Sequence, residues 1–102
     1  MKIINLAKNT VLANNVVIAD TPVKRIKGLL GRREFKSGEA LILRPCNSIH
    51  TLFMRFAIDV LFIDKYNKVI KTIHNLKPYR LTGIYFGASA VIELPVGTLE
   101  SS

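Results

Sequence analysis

Between Asp59 and Asp64 stand four consecutive large apolar residues, Val60, Leu61, Phe62 and Ile63. A strand with one face in water alternates apolar and polar positions, so a run apolar at every position reads as a strand covered on both faces. A chain containing such a strand has to bury it between two layers. At 102 residues there is room for about one domain and a single core. Hydrophobic residues make up 49% of the sequence, far more than a disordered chain carries and enough to supply both layers.

Short β-branched and apolar runs recur along the chain, each bounded by turn residues. Residues 2–6 (KIINL), 16–19 (VVIA), 40–43 (ALIL), 48–53 (SIHTLF), 60–63 (VLFI), 69–73 (VIKTI) and 90–94 (AVIEL) read as strands, with 10–12 extending the first or forming another. The Asn14-Asn15 pair suits a turn, and DKYNK over 64–68 suits a hairpin turn with Asn67 at positive φ. Residues 79–87 read as a loop or weak strand.

One segment departs from this pattern. In TPVKRIKGLLG, residues 21–31, Asp20 or Thr21 can cap free amides, Pro22 suits the first helical position and Gly31 suits a left-handed stop. Val23, Ile26, Leu29 and Leu30 share one face while Lys24, Arg25 and Lys27 point outward. The spacing predicts a helix over 22–30, in which Gly28, costing about 1 kcal/mol relative to Ala, marks close packing or an early end. Seven or eight short strands and one helix, in a single domain over 1–102, describe a small mostly-β sandwich or partly closed barrel.

Fifteen Lys and Arg against seven Asp and Glu leave a net charge of +8. Such a surface attracts polyanions whatever the fold, so nucleic acid, acidic lipid and anionic ligands are all admissible partners. Six cations, Lys24, Arg25, Lys27, Arg32, Arg33 and Lys36, crowd residues 24–36 with Glu34 as the one acid, forming either a solvated face or an anion-binding patch. Cys46 is the only cysteine, which excludes an internal disulfide and a Cys-rich zinc site. His50 and His74 lack zinc-site spacing, so neither a metal nor a cofactor is expected. No stretch approaches the roughly 20 apolar residues of a membrane span, and Lys8 and several Asn interrupt the opening residues where a secretion signal needs an apolar core. A cytoplasmic chain is expected.

The order of motifs carries a resemblance. Arg25, the segment Gly28-Leu29-Leu30-Gly31-Arg32, the run from Phe53-Met54-Arg55-Phe56-Ala57 through Ile58-Asp59-Val60-Leu61-Phe62-Ile63-Asp64, and Ile92-Glu93-Leu94-Pro95-Val96-Gly97 occur in sequence. Together they resemble the family known as domain of unknown function 192, over nearly the whole chain. The resemblance implies a compact, jelly-roll-like β sandwich with one short helix and no established activity. Ala57 stands where that family commonly has Pro, and Asn67 where it has Gly; a turn tolerates both. Members also usually continue past the late Gly with a further strand, so the chain is expected to lack that strand or to be truncated. A missing strand leaves a sheet edge open, which points to a monomer or a weak dimer through that edge.

Three functions compete on the residues. The favoured one is a non-enzymatic binding or accessory domain with a polar pocket for a small anionic ligand, built from Ser48, His50, Thr51 and Asp59 beside the 28–32 loop, with Arg25 and Arg32 as anion contacts. The second is nucleic-acid binding through Lys24, Lys27, Arg33 and Lys36 with Tyr79, Arg80 and Tyr85, where aromatics interleave with cations. Phe53, Met54, Phe56 and Phe62 are assigned instead to the core. The third is a hydrolase using His50 with Asp59 or Cys46. In a strand, Cys46 and His50 lie about 13 Å apart, which argues against that pair; Asp59 is read in preference as a structural acceptor for loop amides.

Overall fold

The computed structural model describes residues 2–5, 10–29 and 32–100, without the side chain of Ile26. Among them are β1 (Ile3–Asn5), β2 (Thr10–Ala13), β3 (Asn15–Ala19), α1 (Pro22–Lys27), β4 (Glu39–Leu43), β5 (Ile58–Ile63), β6 (Val69–Leu76) and β7 (Ala90–Pro95). Strands β3 to β7 form one mixed sheet in the order β3-β4-β7-β5-β6, and β1 with β2 forms a separate antiparallel ribbon. Strands β3 and β4 run parallel, joined by the crossover that carries α1, and the remaining neighbours are antiparallel. The mostly-β expectation holds, with two sheets and no closed barrel among the described residues.

The all-apolar run explains the layering. All six residues of β5 and all six of β7 are buried. On one face of the sheet Leu61, Ile63, Ile92 and Leu94 pack against Leu12 and Ala13 of the ribbon. On the other face Ile58, Val60, Phe62 and Val91 pack together with Leu29 and Met54. Among the described residues no strand covers this second face. Two loops, 46–56 and 77–89, lie over it and hold each other through an irregular ladder. Thr51 N donates to Arg80 O at 2.9 Å, Tyr79 N to Thr51 O at 2.9 Å, Thr82 N to Ile49 O at 3.0 Å and Tyr85 N to Asn47 O at 2.9 Å. Ile49, Met54, Phe56 and Tyr85 face inward from this loop layer, and the Tyr85 ring centre lies 4.5 Å from that of Phe62.

Several local expectations change. The helix stops at Lys27 because Gly28 takes φ +45 and returns its N–H to Lys24 O; a left-handed turn costs glycine least. Leu30 and Gly31, expected to finish that helix, lie outside the described residues, as does Leu6 of the first expected strand. Thr21 Oγ1 accepts from Lys24 N at 3.2 Å, as a cap should. Val23 is 75% exposed although spacing put it on the buried face, since six helical residues present no continuous apolar stripe. Residues 48–53 form no strand: His50 makes one isolated antiparallel bridge to Leu81, and the amides around it bond irregularly to 79–85. Phe53, expected in the core, is 71% exposed. Asn67 does take φ +65, in a turn where Asp64 Oδ1 accepts from the Tyr66 and Lys68 amides.

Candidate functional site

The six residues expected to line one pocket are held by separate partners. Asp59 is 1% exposed. Its Oδ1 accepts from Asn75 N at 2.9 Å, and its Oδ2 accepts from Gly97 N and Leu99 N at 3.0 Å each. These charge-assisted bonds clamp the end of β6 and the turn after β7 onto β5. Buried Thr51 donates Oγ1 to Lys77 O at 2.6 Å and accepts from Arg80 N at 2.9 Å, tying the two cover loops together. Thr51→Val keeps the shape and removes the hydroxyl, so it is expected to cost about 2 kcal/mol in urea unfolding, with Thr51→Ser recovering most of the loss.

His50 is exposed, and its Nδ1 accepts from Leu52 N at 3.3 Å. Ser48 is half-buried, and its carbonyl takes the Cys46 thiol at 3.0 Å. Arg25 reaches the carbonyls of Asp20 and Arg44 at 3.4 Å. Arg32 pairs with Glu39 at 2.8 Å, a bond that holds the Glu39 carboxyl below its usual range. No two of the six line the same one of three clefts that open among the described residues. The hydrolytic pairs are not assembled either. The Asp59 carboxylate is engaged by amides rather than by His50, and burial pushes the Cys46 thiol up, towards its unreactive protonated form.

The largest of these clefts, about 950 Å³, opens on the ribbon face of the sheet. Ribbon residues Ile3, Ile4 and Leu12 line it on one side, and the largely buried Leu61, Ile63 and Ile92 of the sheet form an apolar floor. Lys2, Arg44, Lys65 and His74 stand among its walls, with Asp64 as the one carboxylate. Ser89 also lines it, and its buried Oγ has no hydrogen-bond partner among the described residues. An apolar floor with a few polar groups is the usual make-up of a small-molecule site. Sequence reading missed Lys2, Arg44, Lys65, His74 and Ser89 because they come from five separate segments. The one local signal is that Arg44 directly follows a buried strand and Ser89 directly precedes one.

The residues expected to contact nucleic acid divide. Lys24, Lys27, Arg33, Lys36, Tyr79 and Arg80 are exposed, whereas Tyr85 turns inward onto Phe62. Tyr79 instead meets Phe53 edge to face, with ring centres 5.9 Å apart. On the loop-covered face of the sheet one acid is buried outright. Glu93 faces the same way as its neighbours Leu41 and Val60, is 4% exposed, and leaves Oε2 without a partner among the described residues. Burial pushes its carboxyl up to about 8, so at neutral pH it is held mostly as the uncharged acid.

Asp59 and Glu93, both within the ordered motifs of the sequence, are interior. A model of the family DUF192, described as Uncharacterized ACR, matches residues 3–102. The chain belongs to this family. Among similar relatives, the UPF0127 protein of Thermococcus sibiricus is 35% identical over 96% of this chain and 66% of its own length. The UPF0127 protein PH1112 of Pyrococcus horikoshii is 36% identical over 97% of this chain and 88% of its own. The chain therefore spans just under two thirds of the first of these relatives. A crystal structure of a protein of unknown function from Novosphingobium aromaticivorans shares the fold, with a TM-score of 0.76 at 17% identity, covering 99% of this chain and 85% of that one. Another crystal structure, described as that of a putative transcription regulator from Sinorhizobium meliloti, shares the fold with a TM-score of 0.82 at 18% identity, covering 98% and 81%. Among the described residues no helix is long and apolar enough to cross a membrane.

Proposed function

We propose that this DUF192 domain is a non-enzymatic binding module that holds an amphipathic anion in the cleft between the ribbon and the β5–β6 side of the sheet. One observation carries the reading: cations stand around an apolar floor in a cleft of about 950 Å³, near the upper end of ordinary ligand sites. An acyl or aromatic portion would lie on Leu61, Ile63 and Ile92. A carboxylate, sulfonate or phosphate would meet Arg44, Lys2 and Lys65, Arg offering two parallel donors to such a group.

Dodecanoate and dodecyltrimethylammonium, titrated calorimetrically into the full chain below their micelle concentrations, test this. Dodecanoate is expected to bind at one site and the cationic analogue to bind far more weakly. Arg44→Glu with Lys65→Glu is expected to weaken dodecanoate at least tenfold. Equal binding of both amphiphiles, or dodecanoate binding untouched by the charge reversals, would remove the cleft from consideration.

A further inference from the structure

We infer that the outer side of the loop layer is a docking surface for a membrane bearing anionic lipids. The inner side of this layer packs on the sheet through Ile49, Met54, Phe56 and Tyr85. Loops normally turn polar residues outward. Here the outward positions are Phe53, Tyr79, Leu81, Ile84 and Phe86, every one exposed, with Phe86 at 88% and Leu81 at 73%. So much apolar surface on two neighbouring loops marks a place of interaction.

The backbone supports a selected arrangement. Phe53 and Tyr79 take φ of 65 and 63, a left-handed conformation that bulky L residues rarely adopt and that persists only where the surroundings impose it. Thr51 imposes it, receiving the Tyr79 and Met54 amides on its carbonyl and bridging Lys77 and Arg80 through its hydroxyl. The result holds two aromatic rings outward and in contact.

Charge selects the partner. No Asp or Glu occurs between Glu39 and Asp59, nor between Asp64 and Glu93. Exposed Arg55, Lys77 and Arg80 flank the apolar side chains in these same loops. Aliphatic Leu81 and Ile84 give a base nothing to stack on, whereas hydrocarbon accepts them as readily as aromatics. Cations beside inserted apolar residues meet lipid phosphates at the interface. The pattern therefore fits an acidic bilayer better than a nucleic-acid strand.

Cosedimentation of the full chain with vesicles tests the assignment, using phosphatidylcholine alone and phosphatidylcholine mixed with phosphatidylserine. Binding is expected on the mixed vesicles and little on the neutral ones. Leu81→Ser with Phe86→Ser is expected to lower partitioning at least tenfold while circular dichroism stays unchanged. Lys77→Glu and Arg80→Glu are each expected to lower it by about fivefold or more, the equivalent of about 1 kcal/mol per cation. Should the apolar pair unfold the chain, the charge reversals decide. Failure to bind mixed vesicles, or binding that the folded variants leave unchanged, overturns the inference. So does binding of oligothymidylate that needs Phe53 and Tyr79 in a chain that ignores vesicles, which would assign the surface to nucleic acid.

Discussion

Glu93→Met is expected to stabilise the protein by on the order of 3 kcal/mol at pH 7, with a gain that shrinks towards pH 4. In the native state burial pushes the carboxyl up to about 8, from an ordinary value of 4.5. Between those limits the folded protein holds one proton more than the unfolded chain. Stability therefore falls as pH rises, by about 1.4 kcal/mol per pH unit. The contribution is fully present below the unfolded value and is lost as pH rises through the folded one. Met matches the length and flexibility of Glu, leaves no oxygen without a partner and has nothing to ionise. Glu93→Gln is expected to flatten the same profile with a smaller gain, because its buried amide also lacks partners. Urea unfolding of wild type and Glu93→Met at pH 4, 7 and 9 reads the difference directly. A difference that does not change with pH would mean that Glu93 has an ionic partner or reaches water.

Asp59→Ala is expected to act in the opposite direction, costing on the order of 4 kcal/mol. Alanine deprives the amides of Asn75, Gly97 and Leu99 of their carboxylate acceptor at a position 1% exposed. The damage should be regional. Hydrogen exchange of those three amides should accelerate more than exchange in the β4–β7 pair, and Asp59→Asn should lose less because it keeps one acceptor oxygen. A loss below about 1 kcal/mol would show that water replaces the carboxylate without cost.

The two acids mark the limit of what local pattern conveys. Asp59 and Glu93 both sit in strands whose alternation is masked by burial on both faces, so periodicity gives no warning that one acid is clamped by amides and the other isolated. Asp59 has partners 16, 38 and 40 positions away. The misreading of residues 48–53 has a related cause. Their β-branched composition matches a strand, but Thr51 directs its bonds to 77–80 and leaves the segment an irregular ladder. Phe53 followed the same error: aromatic content argued for the core, whereas the left-handed turn that Thr51 anchors points the ring outward. Asn67 was legible because its turn is closed by Asp64, three residues away.

Near neighbours and apolar pattern along the chain suffice for a mostly-β fold in layers, the doubly covered strand β5, the capped start of α1, the turn at Asn67, and membership of a family through motifs in order. The tertiary structure alone decided what each polar group faces. It gave Asp59 to three amides, Thr51 to the stapling of two loops and Glu93 to an apolar interior. It also gathered the cations of the cleft, and the exposed aromatics of the loop layer, from segments far apart in the chain. Local pattern settles conformation because backbone sterics and side-chain periodicity act over a few residues. Partnership depends on chain segments brought together only by the packed sheet, and no spacing along the chain encodes that meeting.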